Sequence, residues 1–236
     1  VLHPYRIVEV IPELGDAWTI VLKPDGHRGM RFKPGQFTWL SVRDTPFKDK
    51  EHPFSFSSSA ENTDTLGLTI KNLGDFSSTV HTLKPGEKAY LDGPHGALSC
   101  DRFPDRPGFV FIAGGVGVTP MMSMLRTLAD RNDQRPLFFF YGNPDRESIT
   151  FREELDTLQS RLNLTLVHVL ERPPESWQGE QGFITAQILD KYLPEERNSF
   201  QYFICGPEPM MNAVEQALDQ INVPARRVRS ERFSFV

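Results

Sequence analysis

Through the first hundred residues the hydrophobic pattern is one of short runs broken by turn signals. Residues 5–11, 18–22 and 54–57 alternate apolar and polar positions, which predicts strands with one buried face. Further strands are expected over 37–42, 66–71 and 89–92, and one short helix over 77–83. Lys33-Pro34-Gly35-Gln36, Lys84-Pro85-Gly86 and Gly93-Pro94-His95-Gly96 read as the turns between them. Short strands at this spacing predict a small antiparallel barrel.

From residue 109 the rhythm becomes strand–helix–strand. Phe109-Val110-Phe111-Ile112-Ala113 is apolar without alternation, as in a strand buried on both faces. Gly114-Gly115-Val116-Gly117-Val118-Thr119-Pro120 then turns into a helix whose Met121, Met122, Leu125 and Leu128 fall at helical spacing. Thr119 is expected to N-cap that helix, with Pro120 in its first position. Strands are expected at 137–141, 164–170, 200–205 and 227–233, and helices at 151–162, 186–192 (capped by Thr185) and 210–220. Such alternation gives a parallel sheet with helices on both faces. The linker is expected at 100–108, which holds Pro104 and Pro107, giving a barrel domain over 1–103 and a parallel-sheet domain over 104–236.

Composition narrows the picture. The chain has 236 residues, 39% hydrophobic and 24% charged, which suits one large or two ordinary globular domains. A formal net charge of −5 argues against general nucleic-acid binding. Cys100 and Cys205 are the only cysteines, too few for a disulfide scaffold or an iron–sulfur cluster, and no metal-ligand spacing occurs. No apolar run is long enough to cross a bilayer, and no signal peptide is visible.

A strand, a glycine turn and a helix N-terminus together present bare N–H groups to an anion, typically a nucleotide phosphate. The turn departs from G-x-G-x-x-G by having Pro120 in place of the third glycine, and a minority of such turns serve only to bring helix and strand close. Two more segments end strands of the same sheet: Tyr141-Gly142-Asn143 and Cys205-Gly206-Pro207. All three should face one crevice beyond the carboxyl ends of the strands. Gly115, Gly117, Thr119, Pro120, Gly142, Asn143, Gly206 and Pro207 are therefore candidate nucleotide-binding residues.

His52-Pro53-Phe54-Ser55, Gly74-Asp75-Phe76-Ser77, Gly115-Val116-Gly117-Val118-Thr119-Pro120 and Cys205-Gly206-Pro207-Glu208-Pro209-Met210 stand in this order along the chain. In that order they resemble the ferredoxin–NADP reductase-like flavoproteins over nearly the whole length. The resemblance implies a flavin-binding barrel followed by a nicotinamide-nucleotide domain, which pass hydride from NAD(P)H to FAD and then single electrons to an acceptor. Where that family usually has Arg-x-Tyr-Ser/Thr, this chain has His52 and Phe54. The His-Pro-Phe form resembles the membrane branch, NADPH oxidases and ferric reductases. That implies a haem-bearing transmembrane domain in the same longer protein and a place on the cytoplasmic face of a membrane. Val1 as first residue suits an excised piece of such a protein. Residues 170–182 and 205–211 look instead like NADH-dependent cytochrome reductases. A free-standing flavin or oxygenase reductase, or an electron-transfer module active only when docked, is the alternative.

The resemblance also implies residue roles. Phe54 would offer a flat face to the flavin ring, Ser55 a hydrogen bond to flavin N5, and His52 and Pro53 a place beside the pyrophosphate. Thr69 and Lys71 lie on the strand facing the cofactors, with Lys71 toward a ribose or phosphate. Gly74, Phe76, Ser77 and Ser78 would hold the FAD pyrophosphate through backbone N–H groups, and Thr119 could add a contact to it. Cys205 would lie against the nicotinamide C4 and, with Ser55 and Glu231, forms the catalytic set. Phe233 would cover the flavin face where nicotinamide stacks. Arg146 or Arg152 could pair with a 2′-phosphate, and Ser148 stands where an Asp would repel one, so NADPH is expected as donor with NADH possible. Arg226, Arg227, Arg229 and Arg232 form either a solvated strand edge or a face for anionic lipid.

Overall fold

The structure is a computed structural model that describes residues 2–42 and 51–232. Its first half is an antiparallel sheet of β1 (Leu2–Glu13), β2 (Ala17–Pro24), β3 (Phe37–Val42), β4 (His52–Ser55), β5 (Leu66–Lys71) and β6 (Lys88–His95). The strand order is β4-β3-β6-β1-β2-β5. A bridge from Phe56 to Leu68 brings the two edges together and closes the barrel. Alternate residues turn inward, so Tyr5, Ile7, Ile20, Leu22, Leu40, Leu68, Ile70 and Leu91 fill the interior with Phe56. The β6 strand runs on through Gly93-Pro94-His95, where turn residues predict a break. The register between β3 and β6 shifts there, so Pro94 sits at an irregularity that tolerates a missing donor.

The second half is a parallel sheet of order β10-β9-β8-β7-β11-β12. Its strands are β7 (Phe109–Gly114), β8 (Leu137–Asn143), β9 (Leu164–Leu170), β10 (Glu180–Gln181), β11 (Gln201–Cys205) and β12 (Val228–Glu231). The helices are α1 (Val118–Asp130), α2 (Arg152–Arg161), α3 (Ala186–Tyr192) and α4 (Glu208–Gln220). One face packs α1 and α2 through Met121, Leu125, Leu155 and Leu158, and the other packs α3 and α4 through Leu189, Val214 and Leu218. The fold is thus an antiparallel barrel followed by a parallel sheet with helices on both faces, as the pattern predicts. The two-residue β10 has no hydrophobic signature and is new. Thr185 caps α3, its hydroxyl accepting from the Ile188 amide. No helix among the described residues is long and apolar enough to cross a membrane.

Thr119 is a correction. A 3-10 turn over Gly115–Gly117 runs straight into α1, so the helix starts at Val118 with Gly117 as its cap residue. Thr119 and Pro120 are therefore inside the first turn, and the Thr119 hydroxyl donates back to the Val116 carbonyl at 3.0 Å.

The helix α1 also joins the halves. The strap 57–61, which follows β4, lies along one stripe of it. Ser123 Oγ donates to Ser58 O at 2.9 Å, and Arg126 Nη1 to Ser57 O at 2.5 Å. Thr127 Oγ1 accepts from the Ala60 amide at 2.9 Å, and Arg131 Nε donates to Glu61 at 2.6 Å.

Candidate active site between barrel and parallel sheet

The strand order reverses at β7, which has β8 on one side and β11 on the other. A crevice opens beyond the carboxyl ends of such strands. The glycines there divide into two kinds. A Cβ on Gly117 would lie 2.1 Å from the Cys205 carbonyl oxygen, one on Gly114 2.4 Å from Met210 Sδ, and one on Gly206 3.0 Å from the Gly114 amide nitrogen. These three let the loops after β7 and β11 pack directly on each other. Gly115, at φ +52°, is different: the nearest atom to a Cβ there is Lys71 Nζ at 4.0 Å. The Tyr141 hydroxyl supports this open part of the turn from behind by donating to Gly115 O at 3.0 Å. Lys71 ends β5 of the barrel, so a barrel cation stands over the glycine turn of the parallel sheet.

Cys205 and Glu231 are register partners at the ends of β11 and β12. Burial and the neighbouring carboxyl push the Cys205 thiol far above its ordinary range. Burial pushes the Glu231 carboxyl up to about 7, and its Oε2 has no hydrogen-bond partner among the described residues. Its Oε1 lies 2.9 Å from where a Cβ would stand on Gly96, just past β6, so this carboxyl also reaches across to the barrel. Pro207 follows exposed at the mouth of the same crevice.

On the barrel, His52 stacks on Phe76 with ring centroids 4.4 Å apart and planes 17° from parallel, and Phe54 lies 5.8 Å from Phe76. Pro53 sits between His52 and Phe54 on β4, and Ser55 is buried opposite Phe37. Ser77 Oγ accepts from the amides of Leu73 and Gly74, each at 2.8 Å, and Ser78 Oγ donates to Asp75 O. Ser77 thus ties the loop that precedes the 3-10 helix Ser77–Thr82. Thr69, expected among the cofactor-binding residues, has its hydroxyl bonded within the protein. That group donates to Ser57 Oγ at 2.8 Å and meets Thr19 Oγ1 at 2.8 Å, and Thr19 donates to Glu13 at 2.6 Å. The network lies on the outer face of the barrel, opposite the inward Ile20, Leu68 and Ile70, on the side that meets α1.

Gly142 abuts Ile184, and Asn143 is buried with neither amide atom paired among the described residues. In the following loop Asp145 accepts from the Ser148 hydroxyl at 2.5 Å and pairs with Arg172 at 3.2 Å. Ser148, then Arg172, hold the Asp145 carboxyl below its usual range. Arg152 is turned to the Arg146 carbonyl at 3.1 Å. His168 belongs to this end of the sheet and was not anticipated. It is beside Tyr141, both ring nitrogens are buried without a partner among the described residues, and burial draws it down to about 4. A lone imidazole in the apolar strand Leu164–Leu170 was the available signal. Arg232 pairs with Glu215 at 3.0 Å, Arg229 covers the Phe103 ring at 5.3 Å and Arg227 Nε donates to Asn198 O at 3.1 Å, so three of the four basic residues pack on the protein. Phe233 lies outside the described residues.

The chain matches the FAD-binding domain family over residues 8–99 and the oxidoreductase NAD-binding domain family over 111–216. The two matches set an FAD-binding domain before an oxidoreductase NAD-binding domain, and the two-domain fold is ferredoxin–NADP reductase-like. It is similar to a glycine betaine monooxygenase reductase subunit of Pseudomonas aeruginosa, 31% identical over 98% of this chain and 64% of the relative. It also resembles an NADH-cytochrome b5 reductase 1 of Pyricularia oryzae, 30% identical over 72% of this chain and 58% of the relative. Among solved structures, the flavohem-like FAD/NAD-binding domain of a Vibrio cholerae O1 biovar El Tor nitric oxide dioxygenase superposes with TM-score 0.84. That match has 24% identity and covers 98% of each chain, showing a shared fold. The chain spans less than two thirds of the length of either of these sequence relatives.

Proposed function

We propose that this chain is the reductase module of an electron-transfer system, taking electrons from NAD(P)H and delivering them to a protein acceptor of the oxygenase or cytochrome kind. The observation that carries the reading is the meeting of Lys71 with Gly115 and of Glu231 with Gly96, which brings a barrel half-site and a sheet half-site into one crevice. The residues fit FAD. His52, Phe76 and Phe54 form an aromatic stack, ring surface of the kind a flavin packs on, and Gly74 has open space on its side-chain face. FAD, when bound, supplies the chemistry of accepting hydride and releasing electrons singly.

The chain's own residues bind, orient and exclude water. Phe54 and Phe76 shield the ring system, Ser55 offers a hydroxyl at the barrel mouth, and His52 and Pro53 flank the pyrophosphate. Gly74 and the backbone at Phe76, Ser77 and Ser78 hold that pyrophosphate. Lys71, Gly115, Gly117, Thr119 and Pro120 receive the dinucleotide phosphates, with Gly142, Asn143, Gly206 and Pro207 lining the same groove. Cys205 and Glu231 set the nicotinamide against the barrel. The loop at Asp145 suits NADH better than NADPH, because an ionised carboxylate there repels a 2′-phosphate. The Arg146 and Arg152 argument for NADPH is weakened by the turn of Arg152 onto the Arg146 carbonyl.

The two sequence relatives, a monooxygenase reductase subunit and a cytochrome b5 reductase, favour a diffusible or separately folded acceptor over the haem-bearing transmembrane partner of NADPH oxidases and ferric reductases. The His52-Pro53-Phe54 motif supports the latter as a second reading. Cofactor extraction followed by turnover with ferricyanide, a [2Fe–2S] ferredoxin and a b-type cytochrome tests the proposal. FAD retention with NADH-driven reduction of a protein acceptor supports it. Recovery of FMN alone, or no flavin binding at all, sinks it. Apolar spans of about 20 residues adjoining this segment in the full-length protein would favour the membrane reading.

A further inference from the structure

Ser123, Arg126, Thr127 and Arg131 recur at helical spacing, so they form one stripe along α1. Each bonds a different residue of the strap 57–61. Both ends of this arrangement matter for chemistry. The N-terminus of α1 is the glycine turn, and the strap is the direct continuation of β4, with Ser57 only two residues beyond Ser55.

The strap is also fixed from the barrel side. The Ser57 amide donates to Gly67 O at 2.8 Å, Ser57 Oγ accepts from Thr69 at 2.8 Å, and Ser58 Oγ accepts from the Gly67 amide at 2.9 Å. Arg126 is fixed from the sheet side. Its guanidinium grips both Glu154 oxygens, at 2.7 and 2.6 Å, and lies 4.8 Å over the Phe151 ring. Ser123 and Thr127 are fully buried, and Thr127 Oγ1 donates to Ser123 O at 2.7 Å while it accepts from Ala60. A buried hydroxyl or amide that loses such a partner is costly to leave unmade, so the stripe holds one separation and one angle.

The geometry points to Arg126, with Ser123 and Thr127, as positioning residues. They bolt the nucleotide-binding helix to the flavin-binding strand, so that the nicotinamide carbon and the flavin nitrogen meet at one fixed distance without a domain-closing motion. This rests on the assignment of the barrel to flavin and the sheet to nucleotide. The bond that breaks is nicotinamide C4–H and the bond that forms is flavin N5–H, with the electron pair travelling as hydride. None of the stripe residues touches either atom, and their effect is on approach alone. A misplacement of about 1 Å in such an approach costs up to about a hundredfold in rate.

The test uses the FAD-loaded chain and compares Arg126→Gln, Arg126→Lys and Thr127→Val with wild type. The limiting rate of flavin reduction by NADH, the NADH dissociation constant and the isotope effect with 4-deuterated NADH come from rapid mixing. FAD content and melting midpoint are measured alongside. The expected result for Arg126→Gln is a limiting rate lowered roughly tenfold or more, with FAD content and NADH affinity within twofold of wild type. The isotope effect should be undiminished. Arg126→Lys should recover part of the rate, because an ammonium still reaches Ser57 O but does not grip Glu154 through two bonds. Thr127→Val, which exchanges one hydroxyl for a methyl group, should fall between and carries the test if Arg126→Gln does not fold. Limiting rates within twofold of wild type overturn the inference, as does a loss wholly matched by lost FAD. If the wild-type chain binds no flavin, the functional reading itself has failed.

Discussion

Glu231 places a titratable charge beside Cys205, and its titration near pH 7 has two measurable consequences. The folded-state value is raised above the ordinary 4.5 by burial, so the carboxyl is neutral in the fold where it would be charged in the unfolded chain. Its stabilising contribution is complete below pH 4.5 and is lost as pH rises through about 7. Glu231→Gln should therefore stabilise the protein by about 1–2 kcal/mol at pH 8, after allowance for partial solvent screening, and by nothing at pH 4. Urea midpoints at the two pH values check this. An anion beside the nicotinamide should also tighten binding of the cationic oxidised nucleotide as pH rises through 7, and that dependence should vanish in the variant. Asp145 decides a different matter. Asp145→Asn removes the carboxylate and frees Arg172, so the ratio of kcat/KM for NADPH over NADH should rise roughly fivefold, a change of about 1 kcal/mol. An unchanged ratio would move the ribose away from this loop. Residues of this kind were partly legible. Cys205 ends its strand where the pattern predicts, whereas the last strand, expected to run to 233, stops at Glu231, which entered only through the family resemblance. The commitment of the Thr69 hydroxyl to Ser57 and Thr19 was not legible, because alternation along β5 says which side chains turn inward or outward but not which partners they find.

At the level of elements, the loop after β7 behaves as two devices in three residues. Gly117 has an ordinary helical φ of −60°, so its backbone would accept alanine. What forbids a side chain is the Cys205 carbonyl, 2.1 Å from the Cβ position. Gly117→Ala should drive the β7 and β11 loops apart, costing about 1–3 kcal/mol or more, with loss of nucleotide binding. Gly115→Ala meets open space and only the strain of a positive φ, about 1–2 kcal/mol. Urea titrations and NADH binding on both variants check the order. The strands and helices of this half were legible because each has its own period. The start of α1 was misread by two residues, since Thr119 and Pro120 are good cap and first-turn residues, yet the tight turn Gly115–Gly117 had already set helical geometry. Polar Ser123, Arg126 and Thr127 carry no motif in the sequence, and only the barrel lying against them shows what they do. A contact between domains leaves no period in a single sequence.

For the whole molecule, ligand and stability are linked through both sheets. A flavin held by the barrel alone would stabilise only the barrel, but the stripe on α1 ties the sheet to it. FAD at a hundred times its dissociation constant should contribute about 2.7 kcal/mol, raising a single melting midpoint by roughly 5–11 °C for a chain of this size. FMN, which offers nothing for Gly74 and the backbone at Phe76–Ser78 to hold as a pyrophosphate, should raise it much less. Two separate transitions, with only the first moved by FAD, would show that the halves unfold independently. The seam also has a meaning for shuffling between relatives. The linker near Pro104 looks like the natural crossover for exchanging halves, yet a cut there separates the strap 57–61 from the helix that was shaped to receive it. Chimeras cut at the linker inherit a mismatched seam from two parents. Those that carry residues 57–61 and 123–131 from the same parent keep it whole, even though the transplanted pieces are far apart in the chain.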